Sequence, residues 1–204
     1  KNIFNVGALS LSNIEKFTPI SKKEFFSNFK IKDEPYCLIT FHPETNVFEE
    51  NVDFAKEMRK ALEYLSRSIN LVITMPNADT LGSVYRKELN QLKISNPKKV
   101  LLVENFGKEN YFSAMYYSQF LLGNTSSGII EAASFGKYVL NIGDRQKGRL
   151  QSGNCIDTPT VKEKIINATK RALEINEFEG ENLYYKSATA ELIINQLKLF
   201  NETI

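Results

Sequence analysis

The chain has 204 residues, of which 42% are hydrophobic and 25% are charged, with 10 glycines. Collagen, low-complexity polymers and disordered tails are therefore excluded, and a chain of this length buries a core without disulfide or metal staples. Its 26 Lys and Arg are interspersed with 24 Asp and Glu to a net charge of +2, which excludes the strongly basic surface of proteins that bind nucleic acid or anionic membranes.

Short apolar runs recur along the chain and lack the polar alternation of strands that face water on one side. Such runs predict strands that are buried on both faces of a sheet. In chain order they occupy residues 36–41, 69–75, 99–103, 119–123 and 138–142.

Helical patterns lie between these runs. Residues 49–66 carry apolar side chains at steps of three and four, which places them on one face of a helix. Weaker or shorter helical patterns occupy residues 22–29, 111–118, 128–135, 161–173 and 185–200, and a further helix is expected before Asn96 and Pro97. Strands that alternate with helices predict an α/β, Rossmann-like fold, which is a parallel sheet with helices on both faces.

The chain divides into two predicted segments. Residues 1–34 are more polar and are predicted to form an interdomain arm with one helix, and residues 35–204 are predicted to form one α/β domain. The chain begins at Lys1 rather than at a methionine, which we interpret as the sign of a fragment.

Cysteine and histidine are rare in the sequence. Cys37 and Cys155 are far apart, and His42 is the only histidine, so the four Cys or His ligands of a zinc site are missing. We expect no metal and no cofactor. Both cysteines are predicted to be buried and unpaired, which favours a cytoplasmic location. The apolar runs are also far shorter than the roughly 20 residues of a membrane span.

Polar residues follow each of the predicted strands. Ligands of an open parallel sheet bind at the carboxyl ends of its strands, so these loops are the expected place for a site. The loops read HPET at 42–45, PNAD at 76–79, ENFG at 104–107, GNTSSG at 123–128 and GDRQKGR at 143–149. These loops would bring the sole histidine, a turn of glycine and hydroxyl residues, and three cations to one edge of the sheet. This composition suits a phosphorylated organic ligand.

The turn at residues 123–127 is the most informative of these loops. Small residues between a strand and a helix leave backbone N–H groups and the positive end of the helix free to hold phosphate. Its hydroxyl residues are Thr125, Ser126 and Ser127, and its spacing matches neither GxGxxG nor an NTPase phosphate loop. The alternative is an ordinary helix N-cap, in which a hydroxyl serves only the backbone.

Glu131 follows this turn by four residues. A capping box with Ser127 would need a glutamate at position 130, which is Ile130. We therefore predict that Glu131 accepts two hydrogen bonds from a vicinal diol such as a ribose. The alternative is a carboxylate that is solvated or that compensates the helix dipole.

Three further features each allow two interpretations. His42 either transfers protons, for which histidine is the side chain suited near neutral pH, or it is a histidine bonded to backbone at a strand end. Arg145, with the two other cations of its loop, is the best available partner for a diphosphate, or it belongs to a solvated loop. The aromatic residues Phe106, Tyr111 and Phe112 either stack on a base or fill the core.

Four stretches of the chain together carry a family resemblance. They are FNVGALSLSNI at 4–14, TFHPET at 40–45, MPNADTLG at 75–82 and GNTSSGIIEAASFGKYVLNIGDRQKGR at 123–149. In this order they resemble the C-terminal half of the UDP-N-acetylglucosamine 2-epimerases, specifically the hydrolysing branch used in sialic-acid and related nonulosonic-acid synthesis. The resemblance covers nearly the whole chain. It implies that residues 35–204 are the C-terminal nucleotide-binding lobe of a two-lobed, glycosyltransferase-B-like fold, and that residues 4–14 join the lobes.

The resemblance also implies roles for single residues. His42 would be catalytic at the reacting end of the sugar, and Glu131 would hold the ribose hydroxyls. The remaining substrate-binding candidates are Thr125, Ser126, Ser127 and Arg145 for the diphosphate, Asn77 near the phosphate or sugar, and the loop from Phe106 to Tyr111 for the uracil.

The implied reaction converts UDP-N-acetylglucosamine and water to N-acetylmannosamine and UDP. UDP is eliminated to leave a glycal, and water then adds with inversion at C2. Hydrolysis is favoured because this chain has Phe41-His42-Pro43-Glu44 where the non-hydrolysing branch carries a basic Gly-His-Arg-Arg type of motif. The family assigns most of the proton transfer to carboxylates of the other lobe, so the isolated chain is expected to be inactive.

The resemblance implies three partners: the UDP-sugar, the N-terminal lobe of the same protein and, at full length, a second copy in a homodimer. Nucleic acid and membrane are not expected as partners. A glycosyltransferase-B-type sugar transferase lobe and a non-catalytic UDP-sugar-binding module stay open as alternatives. The sugar, N-acetylglucosamine or a diacetamido-trideoxy relative, also stays open because the residues that face it are shared with the other lobe.

Overall fold

The computed structural model describes residues 3–45, 47–77 and 80–201. In this part of the chain, strands form one parallel sheet with the order β3-β2-β1-β4-β5-β6. The strands are β1 (Tyr36–Thr40), β2 (Asn70–Thr74), β3 (Val100–Val103), β4 (Phe120–Gly123), β5 (Val139–Ile142) and β6 (Cys155–Thr158). The helices are α1 (Lys22–Phe29), α2 (Asn51–Leu65), α3 (Thr80–Ser95), α4 (Lys108–Tyr117), α5 (Ser126–Ile130), α6 (Lys162–Glu174) and α7 (Thr189–Asn201), with short 3-10 helices at Leu9–Asn13 and Ala132–Phe135.

The sheet separates two hydrophobic cores, because successive side chains of a strand point to opposite faces. On one face Ile39 and Leu71 pack with side chains of α2, α3 and α6. On the other face Leu38 and Leu121 pack with side chains of α1 and α4. The predicted parallel sheet with helices on both faces is therefore confirmed.

The five predicted strands are confirmed within one residue at either end. Two expectations about the sheet are wrong. Three of the four residues of β3 are partly exposed, because β3 lies at an edge of the sheet rather than inside it. The other edge strand, β6, was not predicted, since its short sequence CIDT carries no apolar run.

The helix predictions differ from the structure mainly at the ends. The helix predicted at 22–29 coincides with α1, whose N-cap Ser21 accepts a hydrogen bond from the backbone of Glu24. The single helix predicted at 128–135 is wrong, because α5 ends at Ile130 and a 3-10 helix begins at Ala132. Glu131 lies at the junction between them.

Residues before β1 pack on the α/β domain. The Phe17 ring lies edge-on against Phe112 at 5.6 Å, and the hydroxyl of Tyr117 donates to the carbonyl of Ile20 at 2.6 Å. Thr189, at the start of α7, donates to the carbonyl of Val6 at 2.9 Å. The first residues and the last helix therefore lie side by side, while the division of the chain at residue 34 stays a prediction.

Neither cysteine forms a disulfide, and burial raises the pKa of both thiols. Cys37 is buried as predicted, but Cys155 is only half-buried because it lies on the edge strand β6. Within residues 3–45, 47–77 and 80–201, no helix is long and apolar enough to cross a membrane. The same residues contain no cluster of three or more His, Cys, Asp or Glu side chains that could hold a metal ion.

Candidate functional site

The carboxyl ends of β1 and β4 lie side by side at the point where the strand order of the sheet reverses. Such a switch point opens a crevice between the loops that leave the two strands. β4 ends in Gly123, whose φ is +140°, and a Cβ there would lie 2.0 Å from the carbonyl oxygen of Thr40. Only glycine fits, and it brings the loops of His42 and Thr125 together.

Asn124 ties three of these loops to one another. The backbone N–H of His42 donates to Asn124 Oδ1, and Asn124 Nδ2 donates to the His42 carbonyl, both at 2.8 Å. The carbonyl of Asn124 accepts from Arg145 Nη1 at 3.0 Å and from Gln146 Nε2 at 2.8 Å. Asn124 is fully buried, so these bonds are sheltered from water. Sequence reasoning gave Asn124 no role of its own, although a polar residue directly after a buried strand was a usable signal.

The three hydroxyl residues Thr125 to Ser127, here called the hydroxyl turn, have the geometry of a helix cap. The Oγ1 atom of Thr125 accepts from the backbone N–H of Ser127 at 3.3 Å, so Thr125 is the N-cap of α5. Ser126 and Ser127 are half-buried in the first turn of this helix. The capping alternative therefore describes Thr125, and the hydroxyls of Ser126 and Ser127 are the better placed candidates for a ligand.

Glu131 and Tyr111 belong to a second group of polar side chains beside the turn. Glu131 is 8% exposed, and its Oε1 accepts from Ser10 Oγ at 2.7 Å, so the solvated-carboxylate alternative is wrong. Tyr111 hydrogen-bonds through its hydroxyl to Thr40 Oγ1 at 3.2 Å. Burial raises the pKa of Tyr111 to about 12 and the Glu131 carboxylate adds to the rise, while hydrogen bonds to Thr40 and Ser127 oppose it. Tyr111, Ser127 and Glu131 are thus near neighbours.

The loop after β5 is held by a hydrogen bond to the carboxylate of Glu44. The carboxylate of Glu44 accepts a hydrogen bond from the backbone N–H of Asp144 at 3.1 Å. Burial raises the pKa of Glu44, and the nearby backbone N–H groups of Asp144 and Arg145 oppose the rise. The side chain of Arg145 is exposed apart from its bond to Asn124. Its guanidinium group therefore has donors left for a ligand.

The two remaining predicted binding residues, Phe106 and Asn77, differ in burial. Phe106 is 4% exposed, and its ring packs on Phe29 at 4.7 Å and on Phe25 at 6.0 Å. It is a core residue, so a base held by this loop would meet its backbone or Tyr111. Asn77 is exposed beyond the end of β2, and its motif neighbours Ala78 and Asp79 lie outside the described residues.

Comparison with families and curated proteins agrees with the sequence resemblance. A family model described as UDP-N-acetylglucosamine 2-epimerase matches residues 1–198. The GDP/UDP-N,N'-diacetylbacillosamine 2-epimerase (hydrolyzing) of Campylobacter jejuni is 35% identical over 159 residues, which are 78% of this chain and 41% of the relative. The UDP-N,N'-diacetylbacillosamine 2-epimerase (hydrolyzing) of Legionella pneumophila is 30% identical over 200 residues, which are 97% of this chain and 52% of the relative. The chain spans about half the length of the curated relatives it matches.

Comparison with solved structures supports the fold. The S. aureus MnaA-UDP co-structure matches with a TM-score of 0.76 at 18% identity, covering 98% of this chain and 53% of that one. At this identity the likeness shows the fold alone. It confirms the predicted α/β, Rossmann-like architecture, which corresponds to one lobe of a glycosyltransferase-B-like fold.

Proposed function

The chain belongs to the UDP-N-acetylglucosamine 2-epimerase family, and we propose that it is the UDP-binding lobe of a hydrolysing 2-epimerase. The observation that carries the proposal is the bond from Arg145 to the carbonyl of Asn124, the residue before the hydroxyl turn. A guanidinium group fixed beside hydroxyls and backbone N–H groups suits a diphosphate. In this proposal the side chains of Ser126, Ser127 and Arg145 hold the diphosphate of UDP, and Thr125 contributes by capping α5 and so fixing the turn.

The ribose is assigned to Glu131. Its carboxylate accepts one hydrogen bond from Ser10, and an ionised carboxylate has about four acceptor positions. Capacity therefore remains for both hydroxyls of a ribose. The uracil is assigned to the segment from Phe106 to Tyr111, which is a loop only as far as Gly107 and continues as the start of α4, where Tyr111 lies near Glu131.

His42 and Asn77 are assigned to the sugar end of the ligand. They follow the ends of β1 and β2, which are neighbours with Thr40 opposite Thr74. Elimination of UDP needs a base for the C2 proton and an acid for the leaving oxygen. His42 supplies one proton-transfer group at this edge, and the other groups come from the N-terminal lobe. Water then adds to the glycal with inversion at C2, which releases the free sugar.

Two sugars are candidates for the substrate. UDP-N-acetylglucosamine follows from the family description. The names of the Campylobacter and Legionella relatives favour the UDP derivative of diacetylbacillosamine, a diacetamido-trideoxy sugar. Hydrolysis to a free sugar is common to both candidates.

The N-terminal lobe is the proposed partner, and an exposed apolar surface supports it. α7 exposes Leu197 at 65% and Phe200 at 57%, and at the other chain end Ile3 is 84% exposed. Large apolar side chains exposed in this number on one helix favour contact with another protein unit. Homodimer formation and a cytoplasmic location stay predictions.

The test is product analysis with the two-lobe protein, in which this chain is joined to its upstream half. Each UDP-sugar is supplied separately, and the products are identified by NMR. Free UDP together with the free 2-epimeric sugar is the expected result. An epimer that keeps its UDP, a sugar passed to an acceptor, or the absence of any turnover would each contradict the proposal.

A further inference from the structure

Glu44 is a buried glutamate to which the proposed function assigns no contact with UDP or the sugar. It lies two residues beyond His42, in the loop after β1, and is 6% exposed. Burying a carboxylate is unfavourable unless hydrogen bonds compensate it, and an apolar side chain would fill the same space at lower cost. The reason for a carboxylate at this position is therefore its hydrogen bond, which it accepts from the backbone N–H of Asp144, the residue directly before Arg145.

The loop after β5 closes directly over this carboxylate. Gly143 has a φ of +75°, and a Cβ at this position would lie 2.2 Å from Glu44 Oε1 and 2.8 Å from Thr160 Oγ1. A side chain at position 143 would therefore push the carboxylate away from the backbone it holds. Gly143 and the carboxylate of Glu44 together determine the path of the backbone after β5, and so the position of Asp144 and Arg145.

Glu44 itself is held by the core. Its backbone N–H donates to Asn51 Oδ1 and its carbonyl accepts from Asn51 Nδ2, both at 2.8 Å. Asn51 begins α2, is fully buried, and also accepts from the hydroxyl of Tyr85 at 2.9 Å. The position of Glu44 is thus fixed by packed elements rather than by a mobile loop.

We propose that Glu44 is the positioning residue for Arg145. By holding the backbone of Asp144, the residue directly before Arg145, it keeps the guanidinium group of Arg145 against the carbonyl of Asn124 and beside the hydroxyl turn. Hydrogen bonds to an ionised acceptor are roughly twice as strong as neutral ones, which explains a carboxylate at this place. The inference rests on the proposed function, because the position of Arg145 matters only where Arg145 binds a diphosphate.

The first experiment compares UDP with uridine, which lacks the diphosphate, as ligands of the chain. Glu44→Ala is expected to weaken UDP about tenfold, the loss of one charge-assisted contact, and to leave uridine affinity unchanged. Glu44→Gln keeps the volume and one acceptor oxygen, so it is expected to fold normally and to lose UDP affinity by a smaller factor. Glu88→Ala is the control, since Glu88 is a partly buried glutamate of α3 whose carboxylate pairs with Arg59 of α2 at 2.6 Å.

The second experiment repeats the Glu44 substitutions in an Arg145→Ala background. A residue that acts only through Arg145 causes no further loss of UDP affinity there. Independent, additive losses would overturn the inference, and so would equal losses for UDP and uridine. Wild-type UDP affinity in both Glu44 variants would overturn it while the proposed function stands. A wild-type chain that binds no UDP would overturn both proposals.

Discussion

Single side chains at the carboxyl edge of the sheet divide into those that hold loops and those that face the space beyond them. Asn124 and Glu44 are buried and bond to backbone groups of other loops. Arg145 is exposed and His42 is half-buried at the same edge. Substitutions of the second kind should change ligand affinity or turnover without changing the fold.

Glu131→Ala is expected to weaken UDP by about 1.5 to 3 kcal/mol, the value of hydrogen bonds to a charged group, and inorganic pyrophosphate hardly at all. The reason is that the carboxylate is assigned to the ribose, which pyrophosphate lacks. Calorimetric titration of both ligands measures the difference. Glu131→Gln keeps an acceptor oxygen and should retain part of the UDP affinity. Equal losses for the two ligands would reassign Glu131 to a structural role with Ser10.

His42→Ala is expected to lower turnover of the two-lobe protein by about 10²- to 10⁴-fold, the typical value of one proton-transfer group. UDP affinity should stay nearly unchanged, because the contacts of His42 with Asn124 run through its backbone and survive the substitution. Coupled detection of UDP release measures turnover, and calorimetry measures UDP affinity. Wild-type turnover by the variant would make His42 a structural histidine.

At the scale of elements, the site depends on how closely β4 approaches β1. Gly123 lets the two strand ends touch, and Asn124 follows directly as the link between loops. The helix that follows is short, and its break at Glu131 places that side chain beside Ser10 rather than on a continuous helix face. Strand contact and helix break together bring the phosphate turn and the proposed ribose carboxylate to one edge.

Gly123→Ala is expected to destabilise the chain by about 3 kcal/mol or more, because the new Cβ meets backbone at an unfavourable φ. Gly148→Ala is the matched control, since Gly148 has a φ of +83° but nothing within 4 Å of a Cβ. The control should lose only about 1 to 2 kcal/mol, the strain of a left-handed residue. Urea denaturation measures both, and equal losses would show that contact with Thr40 does not matter.

At the scale of the whole molecule, the chain is a folded lobe that spans about half the length of its curated relatives. Its proposed UDP site is contained in one sheet edge. Apolar side chains of the C-terminal helix α7 stay exposed. This helix begins beside the segment that precedes β1, where Thr189 bonds to Val6. We therefore expect this chain alone to bind UDP, and we expect turnover of UDP-sugars only from the complete two-lobe protein.

The isolated chain is expected to bind UDP and to show no turnover of UDP-sugars. Millimolar UDP should raise its melting temperature, because a ligand that binds only the folded state stabilises it by mass action. Turnover is expected only after the upstream lobe is joined, since the second proton-transfer group is assigned there. Absence of a thermal shift would contradict the proposed site, and robust UDP release by this chain alone would place all proton-transfer groups within it.

The sequence by itself determined most of the elements and the family. The apolar runs predicted β1 to β5, and the helical pattern at residues 22–29 predicted α1, because both signals depend only on neighbours along the chain. The motifs from TFHPET to GDRQKGR predicted the family that the family model matches. The apolar runs do not predict which strands lie at the edges of the sheet, as β3 and β6 do, because the exposure of a strand depends on which strands lie beside it.

Only the tertiary structure decided how the polar loops are connected. Asn124 and His42 are 82 positions apart and Glu44 and Asp144 are 100 positions apart, yet each pair is joined by a hydrogen bond. No local pattern predicts such a bond, because the partners meet only after the sheet order has placed β1, β4 and β5 side by side. The role of Phe106 was decided in the same way, when α1 packed Phe25 and Phe29 against its ring. Local periodicity specifies elements, whereas the contacts of a buried polar or aromatic side chain depend on where the remaining elements pack.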